Sequence, residues 1–143
     1  MIDPGPALQA AYIALLTGFK VDGVSIPVYD SLAPDKAAAP YIILTRSDTR
    51  SDSTKTSFGH KLTVTLDVVT RFAPGPVSSL PAERIVAALL TLLFPAPRVC
   101  PLTVAGFVLW LYSFQGTKPL TTRTPTDTLI RRLVTINHQL HPA

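Results

Sequence analysis

The residues of this 143-residue chain that could do chemistry are few: three histidines, one cysteine, one glutamate and scattered aspartates. His138 and His141 stand three apart in a stretch that alternates like a strand. That spacing sends the two side chains to opposite faces, so it predicts no shared metal ion with His60 or with each other. Cys100 has no second cysteine to pair with, which excludes an internal disulfide or a thiolate cluster within the chain, and it is expected to be a small buried hydrophobe. No G-x-S-x-G elbow frames a serine, and neither the P-loop pattern nor a dinucleotide-binding glycine fingerprint occurs. Glu83 sits at the start of an apolar helix pattern, where its charge suits the helix dipole. Asp67 lies inside an alternating strand pattern and calls for a cross-strand partner such as Arg131 or Arg132. The expectation is a protein without catalytic residues, metal ligands or a cofactor.

Charge is spread unevenly. Residues 1–45 carry Lys20 and Lys36 against Asp3, Asp22, Asp30 and Asp35, a balance of −2, and residues 46–143 carry eleven basic and five acidic groups, a balance of +6. A basic half raises DNA binding as one reading. Arg46, Arg50, Lys55, Lys61 and Arg71 are, however, dispersed singly among threonines and apolar residues, and Arg131-Arg132 is the one adjacent pair. The dense basic stripe that phosphate binding requires is missing, so specific nucleic-acid binding is not expected.

These residues must be positioned by elements that the pattern reveals. Asp3 and Pro4 suit a helix start, Leu8, Tyr12, Leu15 and Phe19 form one apolar stripe, and Gly18 marks the helix end. In VYDSLAPDKAAAPYIIL, residues 28–44, two apolar runs flank a small-residue loop bounded by prolines, which predicts a hairpin-like pair of strands with a wide loop. SDTRSDSTKTS, residues 47–57, has no apolar side chain and predicts a mobile surface loop or extended hairpin tip. From His60 to Phe72, Leu62, Val64, Leu66, Val68 and Thr70 alternate with Lys61, Thr63, Thr65, Asp67 and Arg71, a strand with one core face.

Ser79 and Pro81 open a second helix running to about Phe94, and Pro95, Pro97 and Pro101 stop it. Leu102 to Gln115 reads as a strand with Phe107, Leu109 and Leu111 on one side, Val108, Trp110, Tyr112 and Phe114 on the other, and both faces covered. Thr117 to Thr126 reads as a polar loop and Asp127 to Leu140 as a closing strand. The sum is one domain over residues 1–143. Its fold class is α+β, an antiparallel or mixed sheet of four to five strands with two α-helices packed on one face.

Hydrophobic residues make up 47% of the chain and charged ones 15%, a composition that folds and leaves exterior for partners to cover. No apolar run approaches the roughly 18 residues that cross a bilayer, and Met1-Ile2-Asp3-Pro4 lacks the pattern of a signal peptide; a cytoplasmic protein is expected.

The helix ending near Gly18, the VYDSLAPDKAAAPYIIL segment, the DTRSDSTKT loop, HKLTVTLDVVTRF, ERIVAALLTLLF and LIRRLVTINHQL together resemble the tail-completion proteins of long-tailed bacteriophages. That family is similar in turn to tail terminators. The resemblance implies a virion protein, assembled in the host cytoplasm, that caps the tail tube as a six-fold ring of its own copies and docks the head-side connector. It implies no membrane partner. The docking loop is expected to include Arg46, Asp48, Arg50, Asp52 and Lys55, and the subunit interface Trp110, Tyr112, Phe114, Arg131 and Arg132. Two other functions are set beside this one: an adaptor joining head and tail in the neck without setting tail length, and DNA binding through the basic half.

Overall fold

A computed structural model of the chain describes residues 1–47 and 49–143. Helix α1 spans Gly5–Leu16, one residue later than the sequence suggests, because the Asp3 carboxylate accepts the Gly5 N–H at 2.9 Å and Pro6 occupies the first turn. Leu8, Tyr12 and Leu16 are its buried stripe, and Gly18, at φ +76°, turns the chain after it. Lys20–Val21 (β1) and Val24–Ser25 (β2) follow as a small hairpin. Its turn, Asp22-Gly23, has both residues at positive φ, the geometry of a two-residue hairpin loop.

The main sheet contains β3 (Val28–Asp30), β4 (Tyr41–Arg46), β5 (Arg50–Ser51), β6 (His60–Phe72), β7 (Phe107–Arg123) and β8 (Thr128–Pro142). The strand order is β3-β4-β6-β8-β7, with the short β5 also on β6. This is the expected α+β class with a mixed sheet, at six strands slightly larger than expected. Helix α2, Leu80–Leu93, starts at Ser79 with Pro81 and Glu83 in its first turn and ends where Phe94 N–H reaches Leu90 C=O at 2.8 Å.

Both helices pack on one face of the sheet. Leu8, Tyr12 and Leu16 of α1 and Ile85, Leu89 and Leu93 of α2 share a core with Ile42, Leu44, Leu62, Val64, Leu66, Val68, Val134, Ile136 and Leu140. Each such side chain, fully buried, contributes about 1.5–3 kcal/mol before entropy is counted. The alternation read in β6 holds: the even-numbered residues from Leu62 to Val68 are in this core, while Lys61 is exposed and Thr63 and Thr65 are half-buried on the other face. Asp67 is buried there and takes Arg131 as its partner, as its position in the strand required.

Five expectations are corrected. The 28–44 pair is not a hairpin: β3 and β4 run parallel, Val28 beside Ile42 and Asp30 beside Leu44. Residues 31–40 return across the opposite face of the sheet, where Ala37 packs on Tyr41 and Val69, so the loop closes a second small apolar cluster instead of a tight turn. Next, the strand expected to end near Gln115 continues through the threonine run to Arg123, because β8 pairs with it throughout. Third, a bulge at Trp110 shifts the register, so Phe107, Leu109, Tyr112 and Phe114 share the helix-covered side while Val108 and Leu111 point away. As the sheet's edge, β7 is not covered on both faces: Val108, Trp110, Leu111, Phe114 and Leu120 are all exposed. Finally, Cys100 is exposed, since it lies in the proline-rich connector outside any packed element.

Candidate functional site

After β4 the Ser47 N–H still bonds Thr63 C=O at 2.8 Å, and residues 50–59 form the next piece against β6. β5 pairs with β6, Arg50 opposite Lys61 and Ser51 opposite His60, and the Asp52 N–H donates to Gly59 C=O at 2.8 Å. The tip is closed by Thr54 N–H to Ser57 C=O at 2.8 Å. Asp52 fastens the segment to the body: its carboxylate accepts a hydrogen bond from Gln139 Nε2 and lies 3.5 Å from Lys61 Nζ.

His141 is the center of this attachment. Ser57 Oγ is 3.0 Å from its Nδ1, Asp52 Oδ2 is 3.7 Å from its Nε2, and the Trp110 ring stacks on it at 3.7 Å with 18° between planes. Gly59 lets the loop approach this closely, because a Cβ there would collide with the His141 ring and the Asp52 carbonyl. The order Ser57, His141, Asp52 imitates a nucleophile, base and acid. The likeness is loose: His141 is 2% exposed beneath Trp110, and its Asp52 contact is too long for a hydrogen bond. The set is a clasp that holds the loop against the end of the sheet.

A second buried histidine supports the same end from below. His138 Nδ1 donates to Leu62 C=O at 3.2 Å, which leaves Nε2 to accept the Tyr12 hydroxyl proton at 2.6 Å. Burial pushes the His138 pKa down to about 4 and outweighs the opposing effect of the Leu62 hydrogen bond. Burial likewise raises the Tyr12 pKa, with Tyr112 and Cys100 adding to it. Helix α1 is thereby tied to β8 through two neutral side chains.

Of the five loop residues expected from sequence, Arg46 is exposed and its guanidinium lies against Gly5, and Arg50 and Lys55 are exposed on the loop. Asp52 is half-buried in the clasp, and Asp48 lies outside the described residues. The five residues expected at the interface are not one patch. Trp110 is 60% exposed, and Phe114 is exposed beside the end of α2, 5.9 Å from the Phe94 ring. Tyr112 is turned inward, stacked on Phe94 at 4.6 Å with its hydroxyl donating to Leu93 C=O at 2.8 Å. Arg131 lies on the open face with Asp67, whose hydrogen bond raises the guanidinium pKa, and Arg132 lies on the helix side, 3.2 Å from Glu83.

The structure joins the loop group to Trp110 through His141, a residue that sequence reasoning left unused. Its signal was weak: a histidine at the last turn of the closing strand, and a glycine, Gly59, just after a polar run. Two hollows flank the clasp. One of about 480 Å³ is lined by Ser47, Arg50, Lys61, Thr63, Asn137 and His138, and one of about 650 Å³ runs between the 94–100 connector and residues 109–112 of β7. Among the described residues, no group of three or more His, Cys, Asp or Glu side chains is arranged to hold a metal ion, and no helix is long and apolar enough to cross a membrane.

The molecule is a two-layer α+β body with a clasped loop and an edge strand that exposes apolar side chains. The family model of the tail completion protein gp17 matches residues 9–136, and the chain belongs to that family of phage tail structural proteins. The fold is shared with a chain from the virion of a native gene transfer agent particle, at TM-score 0.74 and 21% identity over 99% of each chain. No curated protein matches the sequence.

Proposed function

We propose that the protein closes the end of a phage tail tube as a ring of identical subunits and offers the head-side connector its docking surface. The observation that carries this reading is the edge strand β7, seventeen residues long, with Val108, Trp110, Leu111, Phe114 and Leu120 exposed along it. A free strand edge bearing apolar side chains invites another chain, and a protein that remains monodisperse must cover it. Membership of the tail completion family supplies the context for that cover. The clasped loop is the docking element, with Arg50 and Lys55 exposed to steer it toward an acidic tube or connector surface. The protein acts in the virion, after assembly in the host cytoplasm, and needs no cofactor.

Deleting the gene in the producing phage and imaging the lysate by electron microscopy tests the reading. Overlong or unfinished tails without heads are the expected result. Tails of normal length beside filled, unattached heads would replace the terminator with a joining adaptor. Intact infectious particles would overturn both.

A further inference from the structure

We infer that copies of this chain join head to tail through their two unlike sheet edges, β7 of one copy against β3 of the next. This rests on the ring reading above and names the surfaces that make the ring.

The two edges carry opposite charge. Residues 98–123, which form β7 and the connector packed along it, contain Arg98, Lys118 and Arg123 and no acidic residue. Residues 20–36, which lead into β3 and out of it, contain Asp22, Asp30 and Asp35 against Lys20 and Lys36, a balance of −1. Among the described residues, none of these eight is in an ion pair within the chain. Pairing β7 with β7 would oppose like charges. Pairing β7 with β3 opposes unlike ones, which is the heterologous contact that generates rings when it closes.

Backbone geometry agrees. β3 is parallel to β4, and the three further junctions across the sheet are antiparallel, so β3 and β7 run in opposite directions and copies side by side continue an antiparallel sheet. The pairings Asp30 to Leu44, Leu44 to Leu66, Leu66 to Val134 and Val134 to Thr117 put Asp30 and Thr117 at one height. Ile42 N–H bonds to Pro27 C=O and Ser31 N–H to Leu44 C=O, so by alternation the Val28 and Asp30 amides face outward. Across the sheet, Pro119 fits an edge strand with its nitrogen away from the ladder, which turns the Thr117 and Pro119 carbonyls outward. Donors on one edge thus stand level with acceptors on the other.

The test reverses charge at exposed positions in the producing phage: Lys118→Glu with Arg123→Glu, Asp30→Lys with Asp35→Lys, and all four together. Thermal melting of each purified variant verifies that the subunit still folds. Each pair is expected to lower the infectious titre at least about tenfold and to leave the protein off purified tails, and the fourfold variant to restore both. A fourfold variant no better than the pairs, or a pair that assembles normally, overturns the edge assignment. A phage lacking the gene that stays infectious would instead remove the ring reading itself, so the two failures are distinguishable.

Discussion

His138 makes the clearest single-residue demand on the fold. Its unfolded pKa is about 6.5, whereas burial holds the folded value at about 4. Between those values the unfolded chain binds a proton that the folded chain refuses, so stability is full above about pH 6.5 and falls as the pH drops toward 4. The difference corresponds to at most about 3 kcal/mol. Melting experiments across that range should therefore show a steeper loss for the native chain than for His138→Gln, which cannot titrate. Equal slopes would mean that the imidazole is not held neutral. The variant should also melt lower at pH 7, because the Tyr12 hydroxyl and Leu62 carbonyl lose the fit of the ring between them.

The loop over residues 49–59 is an element whose docking depends on one missing side chain. Gly59→Ala would drive a methyl group into His141 and the Asp52 carbonyl, at a cost of about 1–3 kcal/mol, relieved only by lifting the loop. Trp110 is the sole tryptophan and stacks on His141, so its fluorescence should change in that variant. The Asp52 amide, bonded to Gly59 C=O, should exchange its proton faster. Unchanged fluorescence and exchange would show that the clasp does not depend on close approach at this position. Nothing in the composition of the loop signals the docking, because the groups that tie Ser57 and Asp52 to the body, His141 and Gln139, lie more than seventy positions away. Elements governed by local spacing were legible: α1 from its stripe, α2 from Ser79, Pro81 and Phe94, and β6 from its alternation. The bulge at Trp110 and the exposed threonine run hid β7, since an edge strand need not alternate, and the parallel return of β4 beside β3 is fixed by packing of Ala37 on Tyr41 and Val69. The Asp22-Gly23 turn carried a readable hairpin signal that the larger patterns overshadowed.

At the scale of the whole molecule, the excess of positive charge poses the question of DNA. The net charge is +4. Among the described residues, the fold pairs four of the eleven basic residues of the 46–143 half. Arg131 is tied to Asp67, Arg132 to Glu83, Lys61 to Asp52 and Arg71 to Asp127. Arg131 and Arg132 moreover project from opposite faces of β8, so they cannot track one phosphate strand together. Salt-dependent binding scales with the number of phosphates neutralised together, and cations dispersed singly over the surface gain little from counterion release. The monomer should accordingly bind duplex DNA weakly at about 150 mM salt, with a shallow dependence on salt, and Arg131→Ala with Arg132→Ala should leave that affinity unaltered. Titration of a labelled duplex by fluorescence anisotropy at two salt concentrations measures both quantities. Tight, steeply salt-dependent binding that the double variant abolishes would reassign the basic half from contacts within the fold to contacts with the genome. The expected result instead leaves Arg98, Lys118 and Arg123, at the other sheet edge, as charges available to a neighbouring chain.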